Sequence, residues 1–424
     1  MSDNVIRSID SLLNGLSSAP SNPSIFRVGD HLRSINPEAY DPKIIAIGPF
    51  HRHKPHLKNM EQHKVRYLNL VLQRKEESIL QRCVTAMRHW EVRARKCYAE
   101  DIQLGVDEFV EMLLLDGCFI IEFLSKFRCK KYRDEDDPIF QYEYIQSHLL
   151  DDLMVFENQI PFFIIHSLFD IIITDTGEST DTGESINFLI WPLLKSFPCT
   201  SINDLETQHH LLGIAHDLQC PSFAKRLSDN DPMENINSAI ELQEAGISFK
   251  SKSSSIYCSS IFSIEFENKE MIIPKWNITD LTESSFQNMI AYEYYLTGSP
   301  QRYVTDYVFF MHCLVHSSED AKLLRRSGII SNFLGADEMV YRLINKLVKN
   351  IFINSERFPY SNIFVNVNSH CGHRRNRWMA TLRRDYFNSP WALISVLAAI
   401  TLLVLTIIQT TFAILSYCKL LPKF

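Results

Sequence analysis

From Trp391 to Tyr417 the chain runs 27 residues without one charged side chain, WALISVLAAITLLVLTIIQTTFAILSY, and seven residues follow. The hydrocarbon core of a bilayer is about 30 Å thick and takes roughly 20 apolar residues as a helix, so this segment can span with some tilt. A buried helix of a water-soluble protein normally keeps a polar stripe instead of so long an uncharged run. The feature divides the chain into a large polar body, expected to fold in water, and a single anchor. Trp391 and Tyr417 sit at the two ends of the span, where amphipathic rings prefer the membrane interface.

Charge gives the anchor a direction. Arg374, Arg375, Arg377, Arg383 and Arg384 precede it, and Lys419 and Lys423 follow it. Five against two places the leading flank, and with it the body, on the cytosolic side. The N-terminus has no basic start followed by a sustained apolar run, as a secretory signal would. The expected topology is a single pass of tail-anchored type, with the plasma membrane the favoured location. The juxtamembrane arginines would also hold anionic lipid headgroups.

Formal net charge is −7. Residues 371–424 hold seven basic residues and one acid, so the body carries all of the acidic excess and more. Phosphate contacts need clustered Lys and Arg, so nucleic acid is not an expected partner. Only 13 glycines occur, few for phosphate-cradling loops. Ten cysteines are scattered without a CxxC pair, several inside apolar runs, as in LLLDGCFII; reduced, buried thiols are expected.

Along the body, residues 1–24 read as flexible, and 25–370 as one globular unit. Pro37, Pro42 and Pro49 break any long helix at its start, giving an extended, ordered lead-in. Helices are expected over 57–97, 107–127, 147–173 with Pro161 dividing it, 186–227, 281–295, 301–316 and 335–352. The 107–127 segment is apolar nearly all round, but five acids interrupt it, so it reads as a buried core helix and not a second span. Short alternating stretches rich in Ile and Phe at 246–276 predict a small antiparallel sheet. The run 133–138, RDEDDP, reads as a solvated acidic loop. A tandem repeat, TDTGES at 174–179 and again at 180–185, reads as a disordered surface loop. Residues 371–390 form a basic juxtamembrane segment and 418–424 a short tail. The fold class is mainly α: a multi-helix body with a small β element and one C-terminal transmembrane helix.

Candidate chemistry is sparse. His51, His53, His56 and His63 crowd 13 residues, but Arg52, Lys54, Lys58 and Lys64 oppose a cation there and the spacing fits no zinc pattern. His210 and His216 are six apart and share a helix face poorly; with His209 they read as core or surface histidines. Asp134, Asp136 and Asp137 resemble an acidic metal triplet, yet such runs are usually solvated. Glu111 and Glu122 lie about 16 Å apart along a helix, too far for paired acid and base work. No P-loop, GxGxxG, GxSxG or HExxH occurs. No catalytic residue, metal or cofactor is expected.

The ordered text does match a family pattern. FRVGDHLRSINPEAYDPKIIAIGPFHRHKPHLKNMEQHKVRYL (26–68) resembles the opening of the plant domain-of-unknown-function 247 family. DEFVEMLLLDGCFIIEFL (107–124), DDLMVFENQIPFFIIHSLF (151–169), SAIELQEAGISFK (238–250), TESSFQNMIAYE (282–293) and YVTDYVFFMHCLVHSSEDAKLLRRSGII (303–330) resemble its later blocks in order, and the terminal apolar segment resembles its anchor. Gly29 stands where a proline is usual and Phe50 where a tyrosine is usual. The resemblance carries no catalytic residue. It implies a plant membrane protein, and some grass members are implicated in self-incompatibility. The expected function is therefore a membrane-anchored, non-enzymatic recognition or signalling protein whose partners are the lipid bilayer and an unidentified protein. The alternatives are an enzyme with an unrecognised site and a passive membrane scaffold.

Overall fold

The computed structural model describes residues 4–14, 23–74, 78–174, 186–190, 193, 210–219, 234–252, 260–296, 302–372 and 390–420. The sequence builds the body around two apolar cores. The first surrounds a helix, α3, whose near-continuous apolar surface demands partners on every side. Helices α1 (Lys58–Gln73), α2 (Ile79–Arg95) and α3 (Val106–Arg128) pack together, with α4 (Glu143–Asp152), α5 (Phe162–Thr174) and α6 (Leu211–Gln219) completing the layer. Asp107 and Glu108 at the start of α3 and Lys126 and Arg128 in its last turn complement the helix dipole. Gly117 lets α5 approach: a Cβ there would stand 2.4 Å from Leu168 Cδ1.

The second core gathers α7 (Ala239–Glu244), α8 (Thr282–Tyr295), α9 (Tyr303–Leu314), α10 (Ser318–Arg326), α11 (Asp337–Leu347) and α12 (Ser361–Gly372) with two small sheets. Ser238 and Glu241 close a capping box at α7, and Ser317 caps α10 through the Asp320 N–H. The expected β element is present, but its direction is mixed. Strands β2 (Glu265–Glu267) and β3 (Glu270–Pro274) form an antiparallel hairpin, whose turn takes Asn268 and Lys269 into positive φ. Strand β1 (Ser248–Lys252), which follows α7, joins β3 in parallel. A separate parallel pair links β4 (Trp276–Ile278) to β5 (Ile330–Asn332).

The expected helical stretch 57–97 holds two helices, α1 and α2, and α10 is a helix beyond those expected. The duplicated loop lies outside the described residues from 175 to 185, as do most of 186–227 and the juxtamembrane arginines. Within 1–24, Asn4–Asn14 is helical, with Val5, Ile6, Ile9 and Leu13 exposed. The apolar C-terminal segment is one helix, α13 (Pro390–Leu420). Its stretch Ile394–Ser416 is long and apolar enough to cross a membrane, and none of it is buried against the body.

Candidate functional site

The densest buried polar chemistry lies between the two cores, where α4 hands over to α5. This is the ENQIPFF segment, whose Glu157 and Asn158, with Asp152 just before it, are bound to the lead-in. Asp152 accepts from the backbone N–H groups of Lys43, Ile44 and Ile45 at 2.8, 2.7 and 2.9 Å. Asn158 accepts from Ile47 N–H at 2.6 Å and donates to the carbonyls of Ile45 and Asp152. Gln159 donates to the Leu153 and Val155 carbonyls, and its own carbonyl accepts from the Tyr98 hydroxyl. The lead-in has proline breaks and no neighbouring strand along 41–50, so side chains replace the ladder that its backbone lacks.

Glu157 is buried as well. It accepts from Val28 N–H at 2.6 Å and pairs with Arg33 at 2.6 Å. His51 Nε2 stands 3.3 Å from its second oxygen, a close approach outside hydrogen-bond geometry. Burial by itself would raise this carboxyl; His51, the Val28 amide and Arg33 outweigh it and hold Glu157 below the usual range. Asp152 and Asp116 go the other way, raised by burial despite their donors. Asp116 accepts from Gly48 N–H at 2.7 Å and pairs with the buried Lys64, which also donates to the Ala46 carbonyl at 2.5 Å. Gly48 has φ +75°, and a Cβ there would lie 2.4 Å from the Gln159 carbonyl oxygen. The constellation resembles an active site in composition, but most of its hydrogen bonds go to backbone; Arg33 and Lys64 pair with two of the acids, and the His51 ring nitrogens and the second Glu157 oxygen make no hydrogen bond. It works as a latch between lead-in, first core and second core; Asn288 of α8 adds the last link by accepting from Phe156 N–H and donating to the Ala39 carbonyl.

Two further buried nodes answer the sequence candidates. His216 reaches Glu293 at 2.8 Å, and Glu293 also accepts from the Val304 and Thr305 N–H groups, capping α9. His210 and His216 both lie against Tyr292, as core histidines. The acidic run 133–138 is divided: Glu135 and Asp136 face solvent, whereas Asp137 is buried. Its carboxylate accepts from Lys126 at 2.8 Å and from the Tyr67 hydroxyl at 2.9 Å, and Asp134 meets the same lysine at 2.7 Å. The cause is Lys126, whose ammonium sits in the first core and draws its counter-charges down. Of the clustered histidines, His51 is buried at the latch, His53 and His56 are exposed and His63 is half-buried, its pKa lowered by burial and then by Arg66. Among the described residues no three His, Cys, Asp or Glu gather as a metal set. Glu122 faces Arg74 and not Glu111.

An open polar groove of about 650 Å³ lies beside the latch, between the lead-in and α11. Ser34 and Ile35 form one wall; Tyr341, Arg342, Asn345, Lys346, Lys349 and Asn350 form the other. Every charged residue in this lining is basic. Arg342 pairs with Glu338 and Lys346 with Glu283, while Lys349 is exposed and has no ion pair among the described residues. Asn350, at φ +59°, donates to the His31 carbonyl at 2.6 Å and ties one end of the groove to the lead-in. Arg342 and Lys346 stand one helical turn apart on α11, and Lys349 follows in the turn after it. The facing wall, some 300 residues earlier, had no sequence signal. Trp391 and Tyr417 fall at the ends of α13, and the five arginines lie outside the described residues.

No solved structure matches the chain. The UPF0481 protein At3g47200 of Arabidopsis thaliana is 30% identical, over 93% of this chain and 86% of its own length. The putative UPF0481 protein At3g02645 of the same plant is 22% identical, over 96% and 93%. A family model described as a plant protein of unknown function, DUF247, matches residues 25–405, a range that takes in the lead-in, the latch, the groove and about half of the terminal helix. The chain therefore belongs to the DUF247 family of plant proteins.

Proposed function

We propose that this chain is a single-pass membrane-anchored recognition protein and not a catalyst, and that the groove between the lead-in and α11 receives an acidic segment of a partner protein. The observation that carries the reading is the groove itself: an open polar concavity with an all-basic charged lining on a body of acidic excess. Electrostatic complementarity of that kind steers an acidic partner and rejects basic ones. The backbone N–H donors that Asp152, Glu157 and Asp116 accept from support a structural role for these acids. The terminal helix supports membrane attachment, and its arginine-rich leading flank supports a cytosolic body. The narrower self-incompatibility role, implied for some grass members, needs either an outward body or a relay through a second protein; the flanking charge favours the relay.

The test is photo-crosslinking from Lys349 in the full chain in its native membrane. The expected result is one reproducible protein adduct whose yield drops about tenfold in Arg342→Glu and falls with added salt. An absent adduct, or one indifferent to both changes, contradicts the reading.

A further inference from the structure

Helix α13 contains five polar side chains between Thr401 and Thr411, and it satisfies only four of them. Thr401, Thr406, Thr410 and Thr411 each donate to the carbonyl four residues earlier, at 2.5–2.8 Å. Gln409 has two N–H donors and a carbonyl, and it makes no hydrogen bond among the described residues. It lies four residues from the middle of Ile394–Ser416, about 6 Å along the axis. If the helix spans a bilayer, this amide stands in hydrocarbon, where an unsatisfied polar group is costly.

The amide is not isolated on the helix surface. Ser395, Ala399, Leu402, Thr406, Gln409, Ala413 and Ser416 follow one another at alternating steps of four and three. At about 100° per residue these seven fall within an arc of about 100°. All but Leu402 are small or polar, and Ala398 and Thr410 lie on the shoulders of the same arc. The opposite side presents Leu397, Ile400, Val404, Ile407, Ile408 and Leu415, with Thr411 its one polar residue, bonded back to its own helix. A step of 3.5 is the seam of a left-handed helix pair, and small residues there allow close backbone approach.

We infer that two copies of this chain pair through this seam in the membrane, with Gln409 of each hydrogen-bonded to Gln409 of the other. The inference rests on reading α13 as a membrane span. A second copy is the occupant that the chemistry favours. Every copy inserted in the same sense holds Gln409 at the same depth, and a primary amide, being donor and acceptor at once, is its own complement. A two-fold parallel pair satisfies both amides with a single contact.

The test uses the full chain, tagged at its N-terminus with a donor or an acceptor fluorophore, in phosphatidylcholine vesicles. Energy transfer between copies should fall as lipid dilutes the protein. Gln409→Leu, which makes the span more apolar and so keeps it inserted, should raise the dissociation constant about threefold to tenfold. Ala413→Ile should weaken pairing similarly, while Phe412→Leu, off the seam, should leave it unchanged. Energy transfer that is absent in the unmodified chain, or equal in Gln409→Leu, overturns the pairing. Alkaline carbonate extraction distinguishes the two levels: a chain that stays in the membrane without pairing refutes the seam alone, whereas a chain released by carbonate refutes the span and the pairing with it.

Discussion

Glu157 is kept ionised in the interior by an amide and a guanidinium, with His51 close by. Hydrogen bonds to charged groups are worth about 1.5–3 kcal/mol each, and removing one partner exposes the desolvation cost of the rest. Glu157→Gln keeps the shape and should lower stability by about 2–3 kcal/mol, read as the chemical unfolding midpoint in detergent micelles. Gly48→Ala should cost at least about 2 kcal/mol in the same assay, because the left-handed backbone and the Gln159 carbonyl both oppose a Cβ. Gly29, where family members carry proline, already has φ −64°, proline's own value, but spends its N–H on the Tyr295 hydroxyl at 2.8 Å. Acid titration separates two groups. Glu157, held low, contributes stability that is complete above the usual carboxylate range and is lost as pH falls through its folded pKa. Asp306 is raised well above that range, by burial and then by Glu293, so the folded state holds its proton longer than the unfolded state. Its effect has the opposite sign: stability declines as pH rises from about 4 through its folded pKa. In Asp306→Asn the unfolding midpoint should therefore fall less steeply as pH rises above about 4 than in the unmodified chain.

At the scale of the elements, the acidic run 133–138 shows how neighbours in sequence separate in the fold. Asp137 serves Lys126, Tyr67 and the Ile139 N–H, while Asp136 faces water. Asp137→Ala should destabilise by about 3–5 kcal/mol, and Asp136→Ala by no more than about 0.5 kcal/mol; equal unfolding midpoints for the two would contradict the placement. The long helices were legible, because α3, α8, α9 and α11 carry their apolar positions and first-turn acids within their own spans. The latch was not. Asp152, Glu157 and Asn158 bond to backbone more than 100 residues away, and nothing local to DDLMVFENQIPFF says which amides they will meet. The sheet shows the same division. The β2–β3 hairpin follows from its own turn, whereas the parallel β4–β5 pairing depends on where α8, α9 and α10 return the chain, and β1 meets β3 only across the segment that carries β2. The groove combines both cases, with one wall on a readable helix face and the other brought in by the lead-in.

The whole molecule joins a two-core body to a helix that the body leaves uncovered. The latch keeps lead-in and cores as one unit, the groove opens beside it, and α13 follows α12 after a short intervening segment. Asn277-Ile278-Thr279 has the N-glycosylation acceptor pattern, and Asn277 is exposed on β4, so it reports on orientation. With a cytosolic body the expected result is no mass change on endoglycosidase treatment of protein from plant membranes. The most direct test of a cytosolic, membrane-anchored body is protease protection on sealed vesicles with their cytosolic face outward. The expected result is complete digestion of the body, leaving only a short fragment that contains Ile394–Ser416 in the membrane. A body protected until the vesicles are opened, or a chain washed off the vesicles intact, would contradict it.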